Sequence, residues 1–166
     1  MNNPLYFLPK DYAVLEENIT DLQVRLKMTG LEAGEIVSQS SESWHDNYGF
    51  EEADRERKRL LKMLDDLQHI RIRAEVLRVK DDEKDQQRVS LGSRITVRNL
   101  EINEERSFLI GSYMVFEKTD PKEFSYASPF LSQLMGATIG EKRTVRIGEQ
   151  EAMWQVVQIS GLSSGN

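Results

Sequence analysis

The sequence predicts an α+β protein in two parts: an N-terminal antiparallel α-helical hairpin of coiled-coil type, then a small, mostly antiparallel β-sheet domain with one short helix. Three observations carry this reading. Apolar residues recur at steps of three and four through the first 79 residues, the period changes to two beyond residue 90, and a charged stretch without apolar residues lies between. The parts are therefore residues 1–79, a linker at 80–90, and residues 91–166.

In the first part, Tyr12, Leu15, Ile19, Leu22, Leu26, Thr29, Ala33 and Ile36 form a heptad-like seam sustained over more than three heptads. Pro9 precedes it, where proline is tolerated because the first N–H groups of a helix lack partners anyway. Gly30 and Gly34 each lower helix propensity by roughly 1 kcal/mol relative to alanine, which thins the distal part. Residues 38–47 are a polar break rich in residues that cap and turn. A second helical face follows, with Phe50, Ala53, Arg57, Leu60, Leu64 and Leu67 in line and Leu61 and Ile70 beside them. Two amphipathic helices joined by a short break need each other's stripes, hence an antiparallel hairpin. About 30 residues of first helix make a rod of roughly 45 Å at 1.5 Å per residue.

Residues 81–87 contain only charged and amide side chains and mark the boundary. Beyond them Ile95, Val97 and Asn99 alternate with Arg94, Thr96 and Arg98, as on a half-buried strand. Phe108 and Ile110 point to a second strand, Val145 and Ile147 to a third, and Trp154, Val156, Val157 and Ile159 to a fourth, with Gly148 at the turn between the last two. Ser128 as N-cap, Pro129 at the first helical position and Gly136 at the end define the short helix.

Composition bounds the function. Charged residues make up 30% and hydrophobic ones 39%, a balance suited to long exposed helices. No apolar run approaches the ~18 residues of a membrane span, and the first ten residues lack the charged and apolar regions of a secretory signal, so a cytoplasmic protein without membrane contact is expected. With no cysteine and only His45 and His69, a disulfide is impossible and a structural zinc site is not expected. The net charge of −6 opposes a simple nucleic-acid coat. It conceals an asymmetry: Asp11 to Asp54 holds two basic and eleven acidic residues, whereas Arg55 to Arg78 holds eight basic and four acidic.

The run from Leu91 to Leu100, then Ser125 to Pro129, Leu134 to Gly136 and Ile139 to Glu141, resembles the C-terminal domain of the Gre transcript-cleavage factors. The family pattern there is a "G-x-x-V-x-V" strand, "SP" opening a short helix, an "L-x-G" and a "G-[DE]" turn. An N-terminal coiled-coil hairpin is also the family's arrangement, so the resemblance spans nearly the whole chain. It implies an FKBP-like C-terminal domain that docks at the rim of the secondary channel of bacterial RNA polymerase, and a hairpin that enters the channel. Acidic residues at the hairpin tip then help hold the second magnesium ion with which the polymerase hydrolyses backtracked RNA. On this reading the chain is a monomer, has no cofactor of its own and is no enzyme, sharing at most the polymerase's Mg²⁺. The related fold of prolyl isomerases does not extend to activity, because no deep aromatic pocket is written in the sequence.

The family's tip motif, roughly D-x-x-E-N-A-x-Y-x-x-A, falls without gaps on Ser43 to Ala53. Asn47 and Ala53 match, Phe50 replaces the tyrosine, Asp46 stands for the glutamate and Ser43 for the first aspartate. Magnesium takes one or two carboxylates with water and phosphate, so Asp46 is the candidate acid and Glu42, beside the missing one, the candidate substitute. Asp46 also suits an N-cap of the second helix. Trp44 is a candidate contact to the polymerase or to an extruded RNA base, or it packs to close the hairpin end, as Phe50 is expected to do. Arg55, Arg59 and Lys62 share a helix face, within five cations in eight residues. They suit the RNA 3′ end through phosphate attraction, or pair with the acidic first helix. Tyr113, Phe116, Phe124, Tyr126 and Phe130 serve either a docking surface or the core of the second domain, whose motif residues are Ser128, Pro129 and Gly136. Three functions are open: a factor that stimulates transcript cleavage, a homologue that occupies the channel without cleavage, and a coiled-coil adaptor.

Overall fold

The computed structural model describes residues 3–39, 47–78 and 87–161. In chain order the elements are β1 (Leu5–Phe7), α1 (Pro9–Gln39), α2 (Asn47–Arg73), β2 (Ala74–Val76), β3 (Arg94–Asn99), β4 (Glu104–Gly111), β5 (Glu123–Ser125), a 3₁₀ turn at Leu131–Gln133, β6 (Lys142–Ile147) and β7 (Gln150–Ser160). The chain divides into two compact units, Met1–Asn3 with Ala13–Ala74, and Pro4–Tyr12 with Glu75–Asn166.

The first unit is helical. Leu15, Ile19 and Leu22 are buried and Leu26 and Thr29 half-buried on α1, as the three-four seam requires. On α2, Leu60 is buried, and Ala53, Leu64, Leu67 and Ile70 are half-buried. An ion pair of 3.6 Å joins Glu16 to Arg71, and the Arg73 guanidinium donates to the Asn3 carbonyl. Phe50 corrects the pattern: expected on the packed face, it is 47% exposed. No helix among the described residues is long and apolar enough to cross a membrane.

The second unit holds the sheet, in strand order β5-β4-β3-β7-β6. β3 pairs antiparallel with β4 and β7, and β7 with β6, whereas β5 runs parallel to β4. The sheet is thus mixed, not purely antiparallel; the segment 112–122 carries the chain back so that Leu109 to Gly111 align with Glu123 to Ser125. Ile95, Val97 and Asn99 are buried in strict alternation on β3. On β7 the ladder slips beside Thr96 and Val97. That bulge leaves Val157 unpaired, so Trp154, Val156 and Ile159 all turn to the buried face despite their uneven spacing. Val145 is buried on β6, but Ile147, expected beside it, is 49% exposed next to the hairpin turn. Gly148 has φ +60°, the left-handed conformation that the first position of a two-residue hairpin loop favours.

The expected short helix is a single 3₁₀ turn. Between Pro129 and Gly136 too few residues remain for a stable α-helix, and Leu134 N–H bonds Leu131 C=O in the tighter pattern. The turn carries Leu131 and Leu134 into the core beside Val97, Ile110 and Val156.

The reading of residues 1–79 as helix throughout is corrected at both ends. Leu5–Phe7 and Ala74–Val76 form a two-stranded sheet, continued by Leu77 N–H donating to Phe7 C=O. Leu8 precedes Pro9, and the residue before a proline is pushed to extended backbone, so α1 starts there and no earlier.

Candidate functional site

The expected tip residues Glu42, Trp44 and Asp46 lie outside the described residues. Among the described residues no group of three His, Cys, Asp or Glu side chains is gathered that would hold a metal ion.

The cations of α2 are described, and all five side chains are exposed. Arg55 pairs with Glu51 at 3.7 Å, Lys58 with Asp54 at 2.7 Å, and Arg59 with Glu56 at 3.2 Å. These are pairs three or four residues apart on one helix, each worth a few tenths of a kcal/mol at an exposed site. Pairing of this cluster with the acidic first helix is therefore not what the described residues show; its acids come from α2 itself. Arg57 and Lys62 form no ion pair with a described residue, so among the described residues the cations of α2 are only partly neutralised.

In the sheet unit, the motif residues act as local anchors. Ser128 Oγ accepts from Leu131 N–H at 3.4 Å, and Ser128 C=O from Ser132 N–H at 3.0 Å. Pro129 is exposed. Gly136 sits at φ +77°, where a side chain would be strained, and its N–H donates to Val89 C=O at 2.8 Å. The turn at Glu141 is tied more tightly. Its carboxylate accepts from Thr138 N–H at 2.9 Å, from Thr138 Oγ1 at 3.1 Å and from Arg143 Nε at 2.8 Å. The Thr138 N–H, and after it the Arg143 guanidinium, hold this carboxyl well below its ordinary 4.5, at about 2. Arg143 also donates to the carbonyls of Gln133 and Met135.

Of the five aromatics, Phe130 is core, lying 5.3 Å from Phe108 and 4.9 Å from Trp154 between ring centroids. The Tyr126 hydroxyl accepts from Tyr6 N–H. Phe124 is the exposed one, with Lys118 Nζ 4.2 Å above its ring.

Sequence reasoning missed a buried polar network that fastens the start of α1 within the second unit. Ser112, fully buried, accepts from Leu8 N–H at 2.8 Å and donates to Asp11 at 2.5 Å. The Ser112 hydroxyl thus bridges the N–H of the cap residue Leu8 to the acid in the first turn, Asp11, a link that the third-position acid of a capping box makes directly. Beside it, Glu123 is buried and accepts from Lys10 Nζ at 2.5 Å and from both Thr119 N–H and Oγ1 at 3.0 Å. Burial works to raise this carboxyl, but the Lys10 and Thr119 donors outweigh it and hold it below its ordinary 4.5. The partners are more than 100 residues apart, so no local pattern could have announced them.

Comparison with known proteins adds the remaining observation. Residues 83–161 match the family model of the C-terminal domain of transcription elongation factors GreA and GreB. No curated protein matches the chain. Among solved structures the chain is similar to GreA factor homolog 1 (Gfh1) of Thermus thermophilus, at 24% identity over 96% of this chain and 100% of that one, with a TM-score of 0.43. Gfh1 of Thermus aquaticus gives 24%, 96%, 99% and 0.39, and the GreA/GreB elongation factor of Nitrosomonas europaea 17%, 95%, 98% and 0.40. None of these three superpositions reaches a TM-score of 0.5. Residues 83–161, just under half of the chain, are thus similar to the C-terminal domain of the GreA/GreB transcription elongation factors.

Proposed function

We propose that the chain binds bacterial RNA polymerase and modulates elongation by inserting an α1–α2 hairpin into the secondary channel, with the FKBP-like sheet domain docked at the rim. The family match of residues 83–161 carries this reading. Two helices of 31 and 27 residues support the hairpin, the longer reaching roughly 46 Å at 1.5 Å per residue. So does the Glu16–Arg71 pair, which joins the early part of α1 to the end of α2, as antiparallel helices require. On this reading the protein is not an enzyme; the catalytic centre is the polymerase's.

The exposed cations of α2, with Arg57 and Lys62 free of ion pairs to described residues, suit attraction of the phosphates of an extruded RNA 3′ end. At the tip, Asp46 and Glu42 offer the oxygen donors that magnesium takes. When bound in the polymerase, that ion supplies an activated water for hydrolysis of the phosphodiester. The chain's own part is to deliver a carboxylate there and to admit or exclude water.

A second reading, a channel-occupying regulator without cleavage, is favoured by one observation: Ser43 stands where the family motif places its first acid. A backtracked elongation complex, given wild-type protein and Asp46→Ala in parallel, separates the two. RNA cleavage that the substitution abolishes establishes the assisting carboxylate. Absence of cleavage with competition against an authentic Gre factor establishes the occupying role. Neither effect, with no binding to polymerase, refutes both.

A further inference from the structure

β6 is an edge strand of the five-stranded sheet. Its hairpin with β7 closes at Ile147 and Gln150, so the N–H and C=O of Ile147, Val145 and Arg143 point at β7, and those of Arg146, Thr144 and Lys142 point outward. An edge with open rungs is a template for another strand. At Arg146 the rung is filled by a side chain. Gln133 Oε1 accepts from Arg146 N–H at 3.0 Å, and Gln133 Nε2 donates to Arg146 C=O at 2.9 Å. A primary amide that accepts from and donates to one residue's backbone reproduces what a paired strand residue would do. The second hydrogen of Nε2 is spent on Pro129 C=O at 2.5 Å, and Arg143 ties the Gln133 carbonyl to the same strand at 3.0 Å. Both ends of the side chain are thus held on β6.

We propose that Gln133 is a plug that ends the sheet at β6 and keeps this edge from pairing with the β6 edge of a second copy of the chain. An antiparallel, two-fold pairing of two β6 edges would centre on Thr144 and use the rungs at Lys142, Thr144 and Arg146. Gln133 removes the rung at Arg146, and by symmetry it removes the facing one as well, leaving a single rung. The facing of Lys142 by Arg146 is a second, weaker guard, because like charges opposite one another disfavour a strand pair.

The test separates the two guards in the full-length protein by sedimentation velocity across a concentration series. Arg146→Thr alone removes the charge guard, keeps the backbone groups that Gln133 binds, and is expected to leave the protein at monomer mass, as is the wild type. Gln133→Ala with Arg146→Thr is expected to shift the mass toward that of a dimer. Gln133→Glu in the same Arg146→Thr background keeps the acceptor but not the donor and is expected to lie between. Gln133 is half-exposed, so these changes leave Leu131 and Leu134 in the core, and far-UV circular dichroism checks the fold. If the plug-less variant stays folded and monomeric, or if the wild type or Arg146→Thr dimerises equally, the proposal is overturned.

Discussion

Replacing Lys10 by methionine tests whether the start of α1 is held within the second unit by charge. Methionine keeps most of the length of the lysine stem and removes the ammonium, leaving the buried Glu123 without the partner that lies at 2.5 Å. Removing one member of a buried ion pair costs about 3–5 kcal/mol. Here Thr119 still donates twice to Glu123 and Lys10 is 37% exposed, so solvent screening brings the cost below that range, to about 2–3 kcal/mol. In a unit of this size that lowers the melting temperature by roughly 10–20 °C. The effect depends on pH with a definite sign. Glu123 titrates below its ordinary 4.5 in the folded protein, so its contribution is fully present above that pH and is lost as pH falls through the folded value. Without Lys10, burial is opposed less and the carboxyl rises, so the deficit of the variant is largest at neutral pH and shrinks in acid. Urea denaturation followed by Trp154 fluorescence, in a Trp44→Phe background, measures it at neutral pH and near pH 3. In a Glu123→Gln background the same lysine substitution is expected to cost under about 1 kcal/mol, since no buried charge is then orphaned. A deficit below about 1 kcal/mol at neutral pH, or one that is equal at both pH values, refutes the reasoning.

Three further outcomes follow from the same unit. Ser112→Ala strands both Leu8 N–H and the buried Asp11 carboxylate and is expected to cost about 2–4 kcal/mol, read as a fall in the thermal midpoint. Gly111→Ala would place a Cβ 2.6 Å from Val115 Cγ2 and 3.2 Å from the Glu123 side chain, an overpacking of about 1–3 kcal/mol that Val115→Ala in the same chain should relieve in part. Glu141, held at about 2, contributes stability above its ordinary 4.5 that disappears as pH falls toward that lower value. Glu141→Gln should therefore flatten the acid limb of a plot of urea midpoint against pH.

The main features of the fold were legible where a single element carries its own periodicity. The α1 seam at Leu15, Ile19 and Leu22 and the alternation at Ile95 and Val97 both match the burial. What escaped was decided between distant segments. Leu5–Phe7 and Ala74–Val76 are each three residues long and mean nothing until they meet. Val157 looked like one more apolar strand residue, and only the pairing to β3 identifies it as a bulge. Nothing local marks Glu123 as buried, because the ammonium that permits its burial sits 113 positions earlier. Among the candidate site residues, Ser128 and Gly136 were recognisable as anchors from local turn chemistry, whereas the partners of the α2 cations depended on side-chain reach that a residue count does not supply.

The proposed action on RNA polymerase, which rests on the likeness of residues 83–161 to the GreA/GreB C-terminal domain, is tested most directly by a competition titration. Core bacterial RNA polymerase is titrated with labelled full-length chain, followed by fluorescence anisotropy, with an unlabelled GreA or GreB factor as competitor. The account predicts saturable binding that the competitor displaces and that weakens with rising salt, as phosphate and charge contacts do. Absence of binding at concentrations where the competitor itself saturates the polymerase, or binding that the competitor leaves untouched, would contradict it.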